Sequence, residues 1–80
     1  MPDDLKTAKK VVGAKQLRRA LNEGQVRLAF LADDADPQLI RPLEELCQAS
    51  NVEIVRVPSM QKLGQACGIH VKAACAALLR

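Results

Sequence analysis

Val26-Arg27-Leu28-Ala29-Phe30-Leu31-Ala32-Asp33-Asp34-Ala35-Asp36-Pro37 decides how this chain folds. Its first seven residues are apolar except for Arg27, and they lie between Gly24 and a cluster of aspartates. So short an apolar run reads as a buried strand. Asp36-Pro37 then reads as a helix start, because aspartate accepts from free backbone N–H groups and proline fits the first helical turn. Leu39, Ile40, Leu43, Leu46 and Cys47 follow at helical spacing, and Ser50-Asn51 marks the end. A buried strand running straight into an amphipathic helix is the signature of an α/β chain.

The alternation continues in both directions. Downstream, Val52–Val57 reads as a second strand, and Pro58-Ser59 opens a short helix through Met60, Leu63 and Cys67 that Gly68 closes. The segment from Val71 to Leu79 is ambiguous. Its alanines favour a helix, whereas its length and position favour a buried strand. An inner strand covered on both faces wants small apolar residues, as in Ala73-Ala74-Cys75-Ala76-Ala77, so a strand is the expectation. Upstream, Ala14–Asn22 reads as a helix with Leu17, Ala20 and Leu21 facing inward and Gly24 just beyond its end. Leu5, Ala8, Val11 and Val12 are spaced as in a helix, so a further helix is expected before Gly13. Residues 1–80 are expected to form one domain, an α/β sandwich.

Composition narrows the function. Hydrophobic residues make up 49% of the chain, ample for a folded core. Phe30 is the single aromatic and lies inside an apolar run, so no exposed ring is available to stack single-stranded bases. Cys47, Cys67 and Cys75 are odd in number and match no zinc spacing, and each has apolar neighbours. They read as small buried hydrophobes, with a redox role for Cys67 and Cys75 as the alternative. Paired catalytic carboxylates, a phosphate-cradling glycine loop and a metal cluster are not evident, so the expectation is a non-enzyme without cofactor or metal. With no signal peptide and no apolar run near the ~20 residues that span a bilayer, the chain is expected to be cytoplasmic and off the membrane.

The net charge is only +3, but the charge is unevenly placed. Lys6, Lys9, Lys10, Lys15, Arg18 and Arg19 supply half of the 12 basic residues, and no acid occurs from Leu5 to Asn22. Polarised charge steers a partner more strongly than the net value suggests. At the centre is Gly13-Ala14-Lys15-Gln16-Leu17-Arg18-Arg19, a glycine followed by a helix whose one face carries Lys15, Gln16 and Arg19. A helix N-terminus attracts phosphate. A glutamine amide reads a base edge, and lysine or arginine neutralises phosphates. A solvated helix face is the ordinary reading of such a charge run; a nucleic-acid footprint is the sharper one.

Three blocks in order favour the sharper reading. Gly13-Ala14-Lys15-Gln16-Leu17-Arg18-Arg19-Ala20-Leu21 resembles the Gly-Thr-Asn/Lys-Glu/Gln-x-x-Lys-x-hydrophobic signature of the kink-turn RNA-binding ribosomal proteins, the L-seven-Ae and L-thirty-e superfamily. Ala32-Asp33-Asp34-Ala35-Asp36-Pro37 resembles its Ala-acidic-Asp-x-Asp-Pro turn. Val57-Pro58-Ser59-Met60-Gln61-Lys62-Leu63-Gly64-Gln65-Ala66-Cys67-Gly68-Ile69 resembles its Val-Pro-Ser-x-x-x-Leu-Gly-x-Ala-x-Gly-Ile block. The resemblance covers about Leu5 to Leu79 and is strongest to the small bacterial branch. It implies a three-layer α-β-α sandwich with a mixed four-stranded sheet. It also implies a ligand, a sharply bent duplex RNA with a short bulge beside tandem sheared G·A pairs.

The resemblance implies roles for individual residues. Gly13 and Ala14 let the backbone approach the RNA, Lys15 and Gln16 meet the guanine edges, and Arg19 meets the backbone or a nearby base. The loop after the short helix, with Gly64, Cys67, Gly68, Ile69, His70 and Val71, packs apolar groups against an extruded bulge base. Many relatives carry an acid where His70 stands, so His70 stacks, touches a phosphate, or is an ordinary loop histidine. Lys62 is a further candidate for a phosphate. Archaeal relatives often have Asn and Glu where this chain has Lys15 and Gln16. Glutamine lacks the carboxylate that accepts two hydrogen bonds from a guanine edge, so the grip is expected to be weaker and more salt-dependent. The implied partner is a kink-turn in ribosomal RNA, a riboswitch or a ribozyme, or the ribosome itself, bound by a monomer. The alternative is a module of the same fold acting through protein partners in translation.

Overall fold

The computed structural model describes residues 9–80. Strand β1 (Lys10–Val12) is followed by α1 (Ala14–Asn22), β2 (Val26–Ala32), α2 (Pro37–Ala49), β3 (Glu53–Val57), α3 (Met60–Ala66) and β4 (Cys75–Leu79). The strands form one mixed sheet in the order β1-β4-β2-β3. β2 and β3 are parallel, and β4 runs antiparallel to both its neighbours. Helix α1 lies over β1, β4 and β2 and packs against α2, which covers β3; α3 covers β2, β3 and β4 on the other face. The result is the three-layer sandwich with a mixed four-stranded sheet.

The core follows from the sequence. Ala29, Phe30, Leu31 and Ala32 of β2 are buried, so this strand is covered on both faces and its apolar residues do not alternate with polar ones. Full burial of Phe30 alone contributes about 3 kcal/mol. In β4, Cys75, Ala76 and Ala77 are wholly buried between β1 and β2, where small side chains let helices approach the sheet from both sides. Of the ambiguous C-terminal segment, Cys75–Leu79 is a strand, as expected, whereas residues 71–74, expected to belong to it, are loop. Asn51, with φ 57°, takes the left-handed conformation that ends α2.

One expectation fails. Lys10–Val12 is a strand, not the end of a helix, pairing antiparallel with Ala76–Leu78. Four apolar residues at helical spacing were weak support, and Val11 and Val12 are β-branched, suited to a sheet edge. The rest of that expected helix, and Lys6, lie outside the described residues.

Candidate functional site

β1, β2 and β3 run in the same direction, and each feeds a helix. Three helix N-termini therefore gather at one end of the sheet, and they are treated differently. At α2, Asp36 Oδ1 accepts from the Gln38 N–H at 2.9 Å. At α3, Ser59 Oγ accepts from the Lys62 N–H at 3.1 Å, and Asp34 Oδ1 accepts from the Met60 N–H at 2.8 Å. At α1 no side chain caps the helix, and no acid stands in its first turn. The N–H groups of Ala14, Lys15 and Gln16 have no partner among the described residues. Unpaired donors and the positive dipole end make this N-terminus receptive to anions.

Gly13 sets the geometry there. Its φ of +108° is one that L side chains rarely adopt. A Cβ would also fall 2.7 Å from Gln16 Oε1, so the missing side chain leaves room for the Gln16 amide. The Gly13 carbonyl accepts from Leu17 N–H at 3.0 Å and starts the helix. Leu17, Ala20 and Leu21 turn to the core, leaving Lys15, Gln16, Arg18 and Arg19 exposed. Arg19 Nε lies 3.9 Å from Glu23 Oε2, and its side chain is 82% exposed. So long and solvated an ion pair holds Arg19 weakly.

The segment from Gly68 to Ala74 forms the second part of the site. It returns over α3, where the Ala73 N–H donates to the Met60 carbonyl at 3.0 Å and Ile69 N–H to the Gly64 carbonyl at 3.1 Å. A Cβ on Gly64 would overlap the Val71 carbonyl oxygen, so this helix position must be glycine for the loop to lie so close. Pinned at its base, the loop holds Val71 outward with 69% of its surface exposed, and Ile69 half-buried beside it. An open cleft of about 570 Å³ lies between Ile69, His70, Val71 and Lys72 on one side and Gln61 and Gln65 of α3 on the other.

Two backbone hydrogen bonds join the halves. The Gly13 N–H donates to the Cys75 carbonyl at 3.0 Å, and the Ala32 N–H to the Ala74 carbonyl at 2.9 Å. The open helix start and the exit of the apolar loop are thus fastened side by side. Gly13, Ala14, Lys15, Gln16, Gly68, Ile69, His70 and Val71 accordingly gather at one end of the sheet, whereas Arg19 lies further along α1, beside Glu23. Lys62 is exposed on α3 but does not line the cleft. Gln61, Gln65 and Lys72 line it and were missed from sequence. The spacing of the two glutamines around buried Leu63 and Gly64 would have placed both on the exposed face of the helix.

The nearby acids are engaged. Asp34 and Asp36 cap helices, and Asp33 Oδ1 lies 3.1 Å from Arg56 Nε. Arg56 Nη1 also reaches Glu44 Oε2 at 3.0 Å. The three cysteines are free and buried. Burial raises the Cys47 and Cys67 thiols, and it pushes Cys75 up to about 11 despite the Gly13 hydrogen bond. Protonated thiols at neutral pH are poor nucleophiles and metal ligands. Among the described residues no group of three or more His, Cys, Asp or Glu side chains could hold a metal, and no helix is long and apolar enough to cross a membrane.

The chain matches the ribosomal protein L7Ae/L30e/S12e/Gadd45 family over residues 1–80. It is 46% identical over 76 residues to an RNA-binding protein of Geobacillus sp. strain WCH70, covering 95% of this chain and 93% of that one. It is 43% identical to the RNA-binding protein YbxF of Geobacillus stearothermophilus, with the same coverage. A solved structure of the Giardia lamblia 15.5kD RNA binding protein superposes with a TM-score of 0.88 at 27% identity, covering 98% of this chain and 69% of that one. A Bacillus halodurans protein of unknown function superposes at 0.87 and 26% identity, covering 98% and 82%.

Proposed function

Because the chain belongs to the ribosomal protein L7Ae/L30e/S12e/Gadd45 family, we propose that it is a non-enzymatic RNA-binding protein that recognises kink-turns. The observation that carries this reading is the uncapped N-terminus of α1, flanked by Lys15, Gln16 and Arg19 and tied through Gly13 to the loop presenting Ile69 and Val71. Ordinary A-form RNA has a major groove too narrow for a helix. A kink opens that groove, so the start of α1 enters and Gln16 and Lys15 meet the guanine edges of the sheared pairs. Ile69 and Val71 cover an extruded base at the bulge. The names of the bacterial relatives and of the Giardia protein support RNA as the partner.

The protein bends RNA by binding the kinked state more tightly than the extended one. It acts as a monomer in the cytoplasm, on a kink-turn of ribosomal RNA, a riboswitch or a ribozyme, or on the ribosome. The test is a titration into an end-labelled kink-turn RNA at low magnesium, beside a control with Watson–Crick pairs in place of the sheared pairs. Energy transfer should rise for the kink-turn alone. Equal, weak and salt-sensitive binding to both RNAs would reduce the start of α1 to a generic basic patch and turn the search to protein partners.

A further inference from the structure

A second groove leaves the open helix start in the opposite direction from the loop. It runs along the outer flank of α1, over β1, with a volume of about 360 Å³. Gln16 and Arg19 line its upper part, Val11 its floor, and Lys9, Glu23 and Gln25 its lower part. Gln16 and Arg19 also belong to the proposed RNA-reading face, so the groove continues that face. Lys9 is exposed at the far end. Its own backbone is fixed, since the Lys9 carbonyl accepts from the Leu79 N–H at 3.0 Å.

Gly13 and Lys9 lie four residues apart, with the three of β1 between them, about 13 Å at the rise of a strand. At about 3.4 Å of axial rise per phosphate on one strand, that spans about four phosphates. Between the two ends, Glu23 is the only acid among the described residues lining the groove, and it sits 3.9 Å from Arg19. The weak pair leaves Arg19 free to turn toward an arriving phosphate, after which Glu23 repels the same strand. We infer that this groove is a phosphate track for the RNA stem that continues from the sheared pairs, with Lys9 as its distal anchor and Glu23 as a brake on its affinity. The inference rests on the proposed reading of α1, and it assigns to the groove a contact with helix beyond the kink.

The experiment uses the full chain and two kink-turn RNAs. In one, the stem beyond the sheared pairs extends by a further helical turn; in the other it ends one pair after them. The wild type should bind the long-stem RNA more tightly and with a steeper salt dependence. Lys9→Gln should lower affinity for the long-stem RNA about threefold and reduce its salt slope by about one phosphate, leaving the short-stem RNA unaffected. Glu23→Gln should tighten binding of the long-stem RNA. Equal effects of Lys9→Gln on both RNAs, or identical binding of both by the wild type, would overturn the track while leaving kink-turn recognition standing. Failure of the wild type to distinguish either RNA from its Watson–Crick control would instead remove the reading on which the track depends.

Discussion

Gly64 shows how one missing side chain shapes a site several residues away. It is a helix-interior glycine, where alanine would ordinarily stabilise by about 1 kcal/mol. Here a Cβ would meet the Val71 carbonyl, so the loop carrying Ile69, His70 and Val71 must move. Overpacking of this kind costs about 1 to 3 kcal/mol, which cancels or exceeds the helix gain. Gly64→Ala should therefore have an unfolding midpoint at or below that of wild type, and should lose about tenfold in kink-turn affinity. Val71→Ser separates loop position from loop chemistry. Val71 is 69% exposed, so stability should change by less than about 0.5 kcal/mol while RNA affinity drops. Chemical denaturation and the kink-turn titration, run on both variants, check the pair. Unchanged affinity in both would remove the loop from the interface. From the sequence Gly64 is expected to belong to the second RNA contact; its structural reason lies in a carbonyl seven positions on that only the fold brings beside it.

Among the elements, α1 differs from α2 and α3 in that its first N–H groups have no partner among the described residues, and stability and binding should conflict there. An acid in the first turn stabilises a helix by about 0.3 to 1 kcal/mol. Lys15 is exposed in that turn, so Lys15→Glu should raise the thermal midpoint by about 2 to 4 °C. The same change puts a carboxylate where RNA is proposed to approach, and binding should be lost. A variant that is both less stable and fully binding would contradict the role given to this helix start. Asp34→Ala tests the contrasting case: it frees the Met60 N–H and should cost about 1 kcal/mol of stability. Much of this was legible beforehand. The caps at Asp36 and Ser59 follow from residue type beside an apolar run, and so do α1, β2, α2, β3 and α3. The Asp34 cap was not legible, because its acceptor and donor are 26 residues apart. Nor was β1, whose three residues become a strand only because β4 lies alongside. The cleft residues Gln61, Gln65 and Lys72 come from two segments, and only folding makes them neighbours.

At the scale of the whole molecule the three layers bury every thiol in the chain, and this makes stability depend on alkaline pH. Cys75 lies in β4 with no exposed surface, and burial pushes its thiol up to about 11 from 9.0. Cys47 and Cys67 are raised in the same sense. The unfolded chain therefore loses these protons at lower pH than the folded one. The folded state binds more protons above pH 9, so stability falls as pH rises from there through the folded-state value. For Cys75 alone the loss approaches about 2 to 3 kcal/mol by pH 11. That is a large part of the total for a domain of this size. Cys75→Ala should be less stable than wild type at pH 7, because it leaves a small void at the centre of the sheet. It should also lose less stability between pH 9 and 11, so that the two curves converge. Urea unfolding under reducing conditions at pH 7, 9 and 10.5 measures both. Parallel curves would mean that the thiol at the centre of the sheet does not set the alkaline limit.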